Sequence, residues 1–281
     1  MLDSFAGAEA DQAAGLRHLF AAREVRAARA VAFVSGREAC GRTTLLVRTA
    51  AALAKAGQGV VIIDEHRGMD TGHSAFAIKA RHDLLDLVRG GCPVERLVQP
   101  VAPRLGVLAA ARFAAEVQQV DTTAAGRLDA ALGHLQEGNS FILIDCATRG
   151  GQHLSPLALA APHMAVLVAA QSSAIIRAYA LIKRLARERG RGGFNIAITG
   201  ARTGAEALAI FRNMRRTASE HLGVHLDYLG SARVPMADHL AGALQGRLSL
   251  ASASGDGSGF LPFAEGTACA ATGRNNMASA S

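Results

Sequence analysis

Several short runs in this chain are apolar at every position: residues 31–34, 60–63, 141–144 and 164–168. A strand with one face in water alternates apolar and polar side chains. A run without alternation therefore predicts a strand covered on both faces. Shorter or weaker strand signals stand at residues 105–108, 194–198 and 226–229. Helical patterns lie between them. One spans about residues 43–56 and stops at Gly57. One is capped by Asp121 or Thr122 and reaches Glu137. One is capped by Ser172 or Ser173 and reaches Arg189, and another covers about 205–222. This alternation predicts an α/β fold, a doubly wound and mainly parallel sheet with helices on both faces. Such sheets bind ligands beyond the carboxyl ends of their strands. Ser35, Asp64 and Asp145 stand at three such ends.

The flanks have a different composition. Residues 1–28 read as an Ala- and Arg-rich helical arm, with Leu16, Leu19 and Phe20 on one stripe. Residues 251–281 are rich in Ala, Ser and Gly, which predicts a disordered tail. The folded domain is thus expected over residues 29–250, where a 50% hydrophobic chain has the material for a core. Four widely spaced cysteines without a C-x-x-C pair argue against a disulfide scaffold or a cysteine zinc site. The N-terminus is mixed and polar, and no apolar run is long enough to cross a bilayer, so a cytoplasmic location is expected. The formal charge of +7 permits nucleic-acid or acidic-lipid contact without requiring either. Lysine occurs only at positions 55, 79 and 183, so arginine at a usual lysine position is in keeping with the composition.

Gly36-Arg37-Glu38-Ala39-Cys40-Gly41-Arg42-Thr43-Thr44 follows the first strand and opens the first long helix. The spacing is that of a phosphate loop, G-x-x-x-x-G-K-[ST], with Arg42 in place of lysine. The two glycines let the loop curl so that its N–H groups point inward, and the following helix directs its positive end at an anion. Thr43 would offer a hydroxyl to Mg²⁺, and Asp64 or Asp145 would hold that ion through water. Asp145, after Phe-Ile-Leu-Ile, is the better Walker B candidate. The alternatives are a Gly-rich turn that merely caps a helix and strand-end aspartates that cap turns. Glu65 and His66 follow Asp64 and have catalytic side-chain types, but a loop histidine is more often solvated or hydrogen-bonded.

Residues 35–44 resemble the deviant Walker A loop of the MinD/ParA family of P-loop ATPases, K-G-G-x-G-K-T-T. Arg37 stands at the signature lysine and Arg42 at the general one. Asp64-Glu65-His66 is similar to the family's D-x-D switch I segment, residues 141–145 to its Walker B strand, and Gly150-Gly151 to its switch II glycines. Asp11-Gln12-Ala13-Ala14-Gly15-Leu16-Arg17 resembles the D-Q-A-x-x-L-R motif that opens the FlhG (FleN, YlxH) branch, the MinD-like regulators of flagellar number. Residues 178–183 and 226–230 also look like segments of that branch. The resemblance runs over about residues 11–250.

It implies a MinD-like fold, ATP and Mg²⁺ as cofactors, and an ATP-dependent homodimer with nucleotide between subunits. It implies nucleotide contacts at Gly36, Arg37, Cys40, Gly41, Arg42, Thr43 and Thr44, metal contacts at Thr43, Asp64 and Asp145, and catalytic roles for Asp64 and Asp145. Through Asp11, Gln12, Leu16 and Arg17 it implies contact with an FlhF-type GTPase. It further implies contact with a flagellar C-ring protein and a flagellar transcription regulator, and peripheral attachment at the inner membrane. The chain departs from the family at Arg37 and Arg42, at His66 in place of the water-positioning Asp, at Thr199-Gly200 in place of an adenine-contacting Asn, and in a tail without an amphipathic helix. A lost positioning group lowers a rate by about 10²–10⁴-fold. Nucleotide binding with slow or absent hydrolysis is therefore expected. Two other readings are a pseudo-ATPase binding module and a ParA-type DNA-partition ATPase, the latter favoured by charge alone.

Overall fold

The computed structural model describes residues 28–36, 41–67, 72–117, 122–147, 153–232 and residue 244. Its centre is an eight-stranded sheet. In chain order the strands are β1 (Arg29–Ser35), β2 (Val60–Asp64), β3 (Gln99–Ala102), β4 (Leu105–Ala109), β5 (Phe141–Asp145), β6 (His163–Ala169), β7 (Gly193–Thr199) and β8 (His225–Ala232). Across the sheet the order is β3-β4-β2-β5-β1-β6-β7-β8. All neighbours run parallel except the β3–β4 edge pair. The doubly wound expectation is met. β3 has no apolar run to announce it: its residues alternate half-buried and exposed, as an edge strand's do.

The helices are α1 (Arg42–Lys55), α2 (Gly72–Ala75), α3 (Leu84–Val88), α4 (Ala111–Glu116), α5 (Thr122–Gly138), α6 (Pro156–Ala160), α7 (Ser172–Arg189) and α8 (Gly204–Leu222). Two apolar clusters sandwich the sheet. One contains Ala30, Ala32, Val34, Ile142 and Ile144 with the inner faces of α5, α7 and α8. The other contains Val31, Phe33, Phe141, Leu143, Val60 and Ile62 with Leu45, Leu46, Ala50 and Leu53 of α1. Full burial of such side chains stabilises the fold by roughly 1.5–3 kcal/mol each. β2 and β5 are buried at every position, which is why their sequences do not alternate.

Helix ends correct the sequence reading in two places. Neither Ser172 nor Ser173 caps α7. Gln171 precedes the first turn and its carbonyl accepts from the N–H groups of Ala174 and Ile175. α8 begins one residue earlier than its apolar pattern, because the Thr203 hydroxyl accepts from the Glu206 N–H at 3.1 Å. Both helices stop at left-handed glycines, Gly190 at φ 63° and Gly223 at φ 65°. The helical arm expected at 1–28 and the tail expected at 251–281 lie outside the described residues.

Candidate functional site

Strand parity decides which side chains meet. Side chains of a strand alternate between faces, so Ser35 shares a face with Val31 and Phe33, Asp64 with Val60 and Ile62, and Asp145 with Phe141 and Leu143. That face is the one α1 covers. Parallel pairing sets Asp64 beside Asp145 across β2–β5, and Asp145 beside Phe33 across β1–β5. The carboxyl ends of the three strands therefore turn one hydroxyl and two carboxylates towards the start of α1.

The junction between β1 and α1 is tight on one side. A Cβ on Gly36 would lie 2.5 Å from the Arg177 carbonyl carbon and 2.6 Å from the Ala178 nitrogen. Only a residue without a side chain lets β1 exit against the α7 backbone. Gly41 enters α1 in the left-handed region, at φ 76° and ψ 20°. No side chain caps α1, and its first turn holds no acidic residue. The first-turn N–H groups have no intrahelical acceptor, so this end of α1 suits an anion. Thr43 and Thr44 stand in that turn, Thr44 exposed to solvent.

Arg42, the first residue of α1, turns towards the strand ends. Its Nε donates to Asp145 Oδ1 at 2.7 Å, its Nη1 to Ser35 Oγ at 3.2 Å, and its Nη2 contacts His66 Nε2. Thr43 Oγ1 donates to the other Asp145 oxygen at 2.5 Å. Asp145 is fully buried and the Arg42 side chain is 10% exposed. Burial pushes the Asp145 carboxyl up. The His66 hydrogen bond, the Arg42 charge and the Thr43 hydroxyl outweigh it and hold the carboxyl below its ordinary value. His66 Nε2 also lies 3.2 Å from the Cys146 carbonyl and 3.5 Å from Asp145 Oδ1. One ring nitrogen can accept from the guanidinium or donate to these oxygens, so the tautomer selects between them.

Asp64 is held just as fully. Its Oδ1 accepts from the His66 N–H at 3.1 Å. Its Oδ2 accepts from the His73 N–H at 3.1 Å and lies 2.9 Å from His73 Nδ1. His73 is buried, and its Nε2 has no hydrogen-bond partner. Next in sequence, Glu65 points into the protein. Its carboxylate accepts from the Ala147 N–H at 3.1 Å and from the Ser155 hydroxyl. Burial pushes the Glu65 carboxyl up to about 7, although both of these hydrogen bonds pull the other way. Glu65 thereby ties the segment after β2 to both ends of the segment after β5.

The uncapped start of α1, with no acidic residue in its first turn, has the chemistry to accept an anion such as a phosphate group. The metal candidates do not fit a divalent ion in the same way, because each oxygen of Asp64 and Asp145 already accepts a hydrogen bond and Asp145 is paired with a guanidinium. Among the described residues no group of three or more His, Cys, Asp or Glu could hold a metal ion. Of the residues picked from sequence, the structure brings together Arg42, Thr43, Asp145 and Asp64, with Gly36 and Gly41 shaping the loop ends. Arg37 and Cys40 lie outside the described residues, as do Asp11, Gln12, Leu16 and Arg17. The roles of His73 and Ser155 had no sequence signal, since each depends on a partner at least nine residues away. No helix among the described residues is long and apolar enough to cross a membrane.

No family model matches the chain. Among curated proteins it is similar to the antiactivator FleN of Pseudomonas aeruginosa, 23% identical over 71% of each chain. Among solved structures it is similar to the cell division protein MinD of Aquifex aeolicus, with TM-score 0.57, 18% identity, and coverage of 79% of this chain and 97% of that one. A plasmid partition protein of Borrelia burgdorferi bound to AMPPNP aligns with TM-score 0.58 and 14% identity over 80% and 99% of the two chains. A ParA family ATPase of Chlorobium tepidum aligns with TM-score 0.51 and 17% identity over 82% and 95%. The chain has the MinD/ParA fold, and the FleN similarity agrees with the resemblance carried by its motifs.

Proposed function

We propose that this chain is a MinD-like, nucleotide-binding regulator of flagellar number and placement that acts on an FlhF-type GTPase through its N-terminal motif. The observation that carries the nucleotide half is the junction at Gly41. A left-handed glycine opens a helix without a side-chain cap, and the Thr43 hydroxyl of its first turn sits on the strand-end carboxylate of Asp145. This is the arrangement through which a polyphosphate is bound by backbone amides and a helix end. The structurally similar partition protein was solved with AMPPNP, which supports ATP as the ligand. Arg37 of a partner subunit would reach the phosphates in an ATP-dependent homodimer. The regulatory half rests on Asp11, Gln12, Leu16 and Arg17 and on the similarity to an antiactivator. A flagellar C-ring protein and a flagellar transcription regulator complete the proposed partners.

Calorimetric titration of the full chain with ATP tests the first half. Saturable binding is expected, and the absence of any binding heat at millimolar ATP would remove the nucleotide reading. The second half is tested by adding the full chain to an FlhF-type GTPase and following GTP turnover. The wild-type chain is expected to stimulate turnover and Gln12→Ala to abolish that effect. Equal stimulation by both takes Gln12 out of the mechanism.

A second reading has an observation of its own. Arg42 and His66 both engage Asp145, and His66 carries no carboxylate to position an attacking water. The chain then binds nucleotide as a module that turns it over slowly or not at all. Phosphate release with ATP and Mg²⁺ separates the two: a rate of the order of 1 s⁻¹ or more, typical of enzymes, excludes the non-cycling form.

A further inference from the structure

We infer that Arg42 is the resident cation of this site, and that the chain takes up a nucleotide polyphosphate without needing a divalent metal ion. The inference rests on the nucleotide reading above and adds the means by which charge is balanced.

A triphosphate approaching the start of α1 meets two carboxylates at the strand ends, Asp64 and Asp145, side by side in register. Left bare, buried carboxylates repel a polyanion strongly, because the surrounding dielectric is low. A divalent ion held between carboxylate and phosphate is the general remedy. In this chain a side chain occupies that role. The Arg42 guanidinium, 2.7 Å from Asp145 Oδ1 and 10% exposed, neutralises a carboxylate that is wholly out of water. A charge-assisted N–H···O bond of this length is among the stronger hydrogen bonds available to a protein.

A hydrated divalent ion gives up water reluctantly and is held by carboxylate oxygens directly or through the waters it keeps. Asp145 offers Oδ1 to Arg42 and Oδ2 to Thr43 Oγ1, at 2.5 Å. Asp64 offers Oδ1 to the His66 backbone and Oδ2 to the His73 backbone and imidazole. A metal bound directly to Asp145 would have to compete with the guanidinium and with the Thr43 hydroxyl for its oxygens.

Arginine suits this role better than lysine. Arginine is charged at any accessible pH and presents donors in a planar fork. One guanidinium thus reaches Asp145, Ser35 and His66 together, on three separate strand ends. An ammonium on a flexible stem has one nitrogen with which to bridge them. Arg42 therefore fixes its charge at the floor of the site rather than extending it along the loop.

The test is calorimetric titration of the full chain with ATP, once in excess MgCl₂ and once in excess EDTA, for wild type, Arg42→Ala and Arg42→Lys. The wild type is expected to show Kd values within about threefold of each other in the two buffers. Arg42→Ala bares Asp145, so its ATP affinity is expected to depend on MgCl₂ by tenfold or more. Arg42→Lys, which keeps the charge and guards against a misfolded Ala variant, is expected to fall between them. A wild-type Kd that weakens more than tenfold in EDTA overturns the inference and leaves the nucleotide reading intact. An Arg42→Ala chain that is as indifferent to MgCl₂ as the wild type also overturns it. If the wild type binds ATP in neither buffer, both the inference and the reading beneath it fail.

Discussion

Arg42 Nε donates to Asp145 Oδ1 at 2.7 Å, joining the first residue of α1 to the last of β5 across 103 positions of chain. The pair carries fold and site together. It holds the N-terminus of α1 against the carboxyl ends of the central strands and sets the charge of the surface that a ligand would meet.

Truncating Asp145 takes away the carboxylate with which the buried Arg42 guanidinium is paired. Asp145→Ala is expected to destabilise the chain by about 3–5 kcal/mol. The double change Arg42→Met with Asp145→Leu removes both charges and is expected to recover most of that loss. Urea unfolding of the two variants and the wild type at neutral pH checks both statements, and equal losses for the single and double variants would contradict them.

Glu65 makes stability pH-dependent in an identifiable direction. Its carboxyl ionises near the ordinary value in the unfolded chain and at about 7 in the folded one. Between these values the folded chain binds more protons than the unfolded chain, so this residue's contribution weakens as pH rises through that window and levels off above it. The full difference is roughly 3 kcal/mol, taking about 1.4 kcal/mol for each pKa unit. Glu65→Gln is expected to flatten this component of the pH profile and to raise stability at pH 8, measured by urea unfolding at a series of pH values.

Gly36 has no room for a methyl group. A Cβ there would stand 2.5 Å from backbone atoms of α7, which cannot rotate away. Gly36→Ala is expected to cost about 1–3 kcal/mol as the two backbones separate. Because the shift occurs at the first residue of the proposed phosphate loop, weaker ATP binding is expected to accompany the lower thermal midpoint. A variant that melts like wild type would show that β1 can leave the sheet by another route.

His73 orients Asp64. Its Nδ1 donates to Asp64 Oδ2 while its Nε2 stays buried without a partner. His73→Ala removes that donor and leaves the carboxylate with backbone N–H groups alone, at a cost of about 1–3 kcal/mol. His73→Asn keeps an N–H near the Nδ1 position and discards the orphan nitrogen, so its loss is expected to be smaller. Urea midpoints of the two variants decide the order.

Local pattern was enough for much of this architecture. Unbroken apolar runs at β1, β2, β5 and β6 marked strands covered on both faces, because a side chain with no solvent-facing partner has no reason to alternate. The junction between β1 and α1 was legible from the glycines at its two ends, Gly36 and Gly41, and the strand-end places of Asp64 and Asp145 from the apolar runs before them. β3 was missed because an edge strand of four residues carries too weak an alternation. The start of α7 was misjudged because a backbone carbonyl, which has no sequence signature, takes the place of a serine cap.

Residue order alone therefore decided the strand and helix alternation and the candidates for a site at the strand ends, since each depends on neighbours within a few positions. Only the folded chain decided how those candidates are spent. Arg42 turns to Asp145 and His66, Glu65 to Ser155, and Asp64 to His73. These pairings depend on strand order, parity and register, which bring distant side chains to one place, and on burial, which obliges every charge there to find a partner.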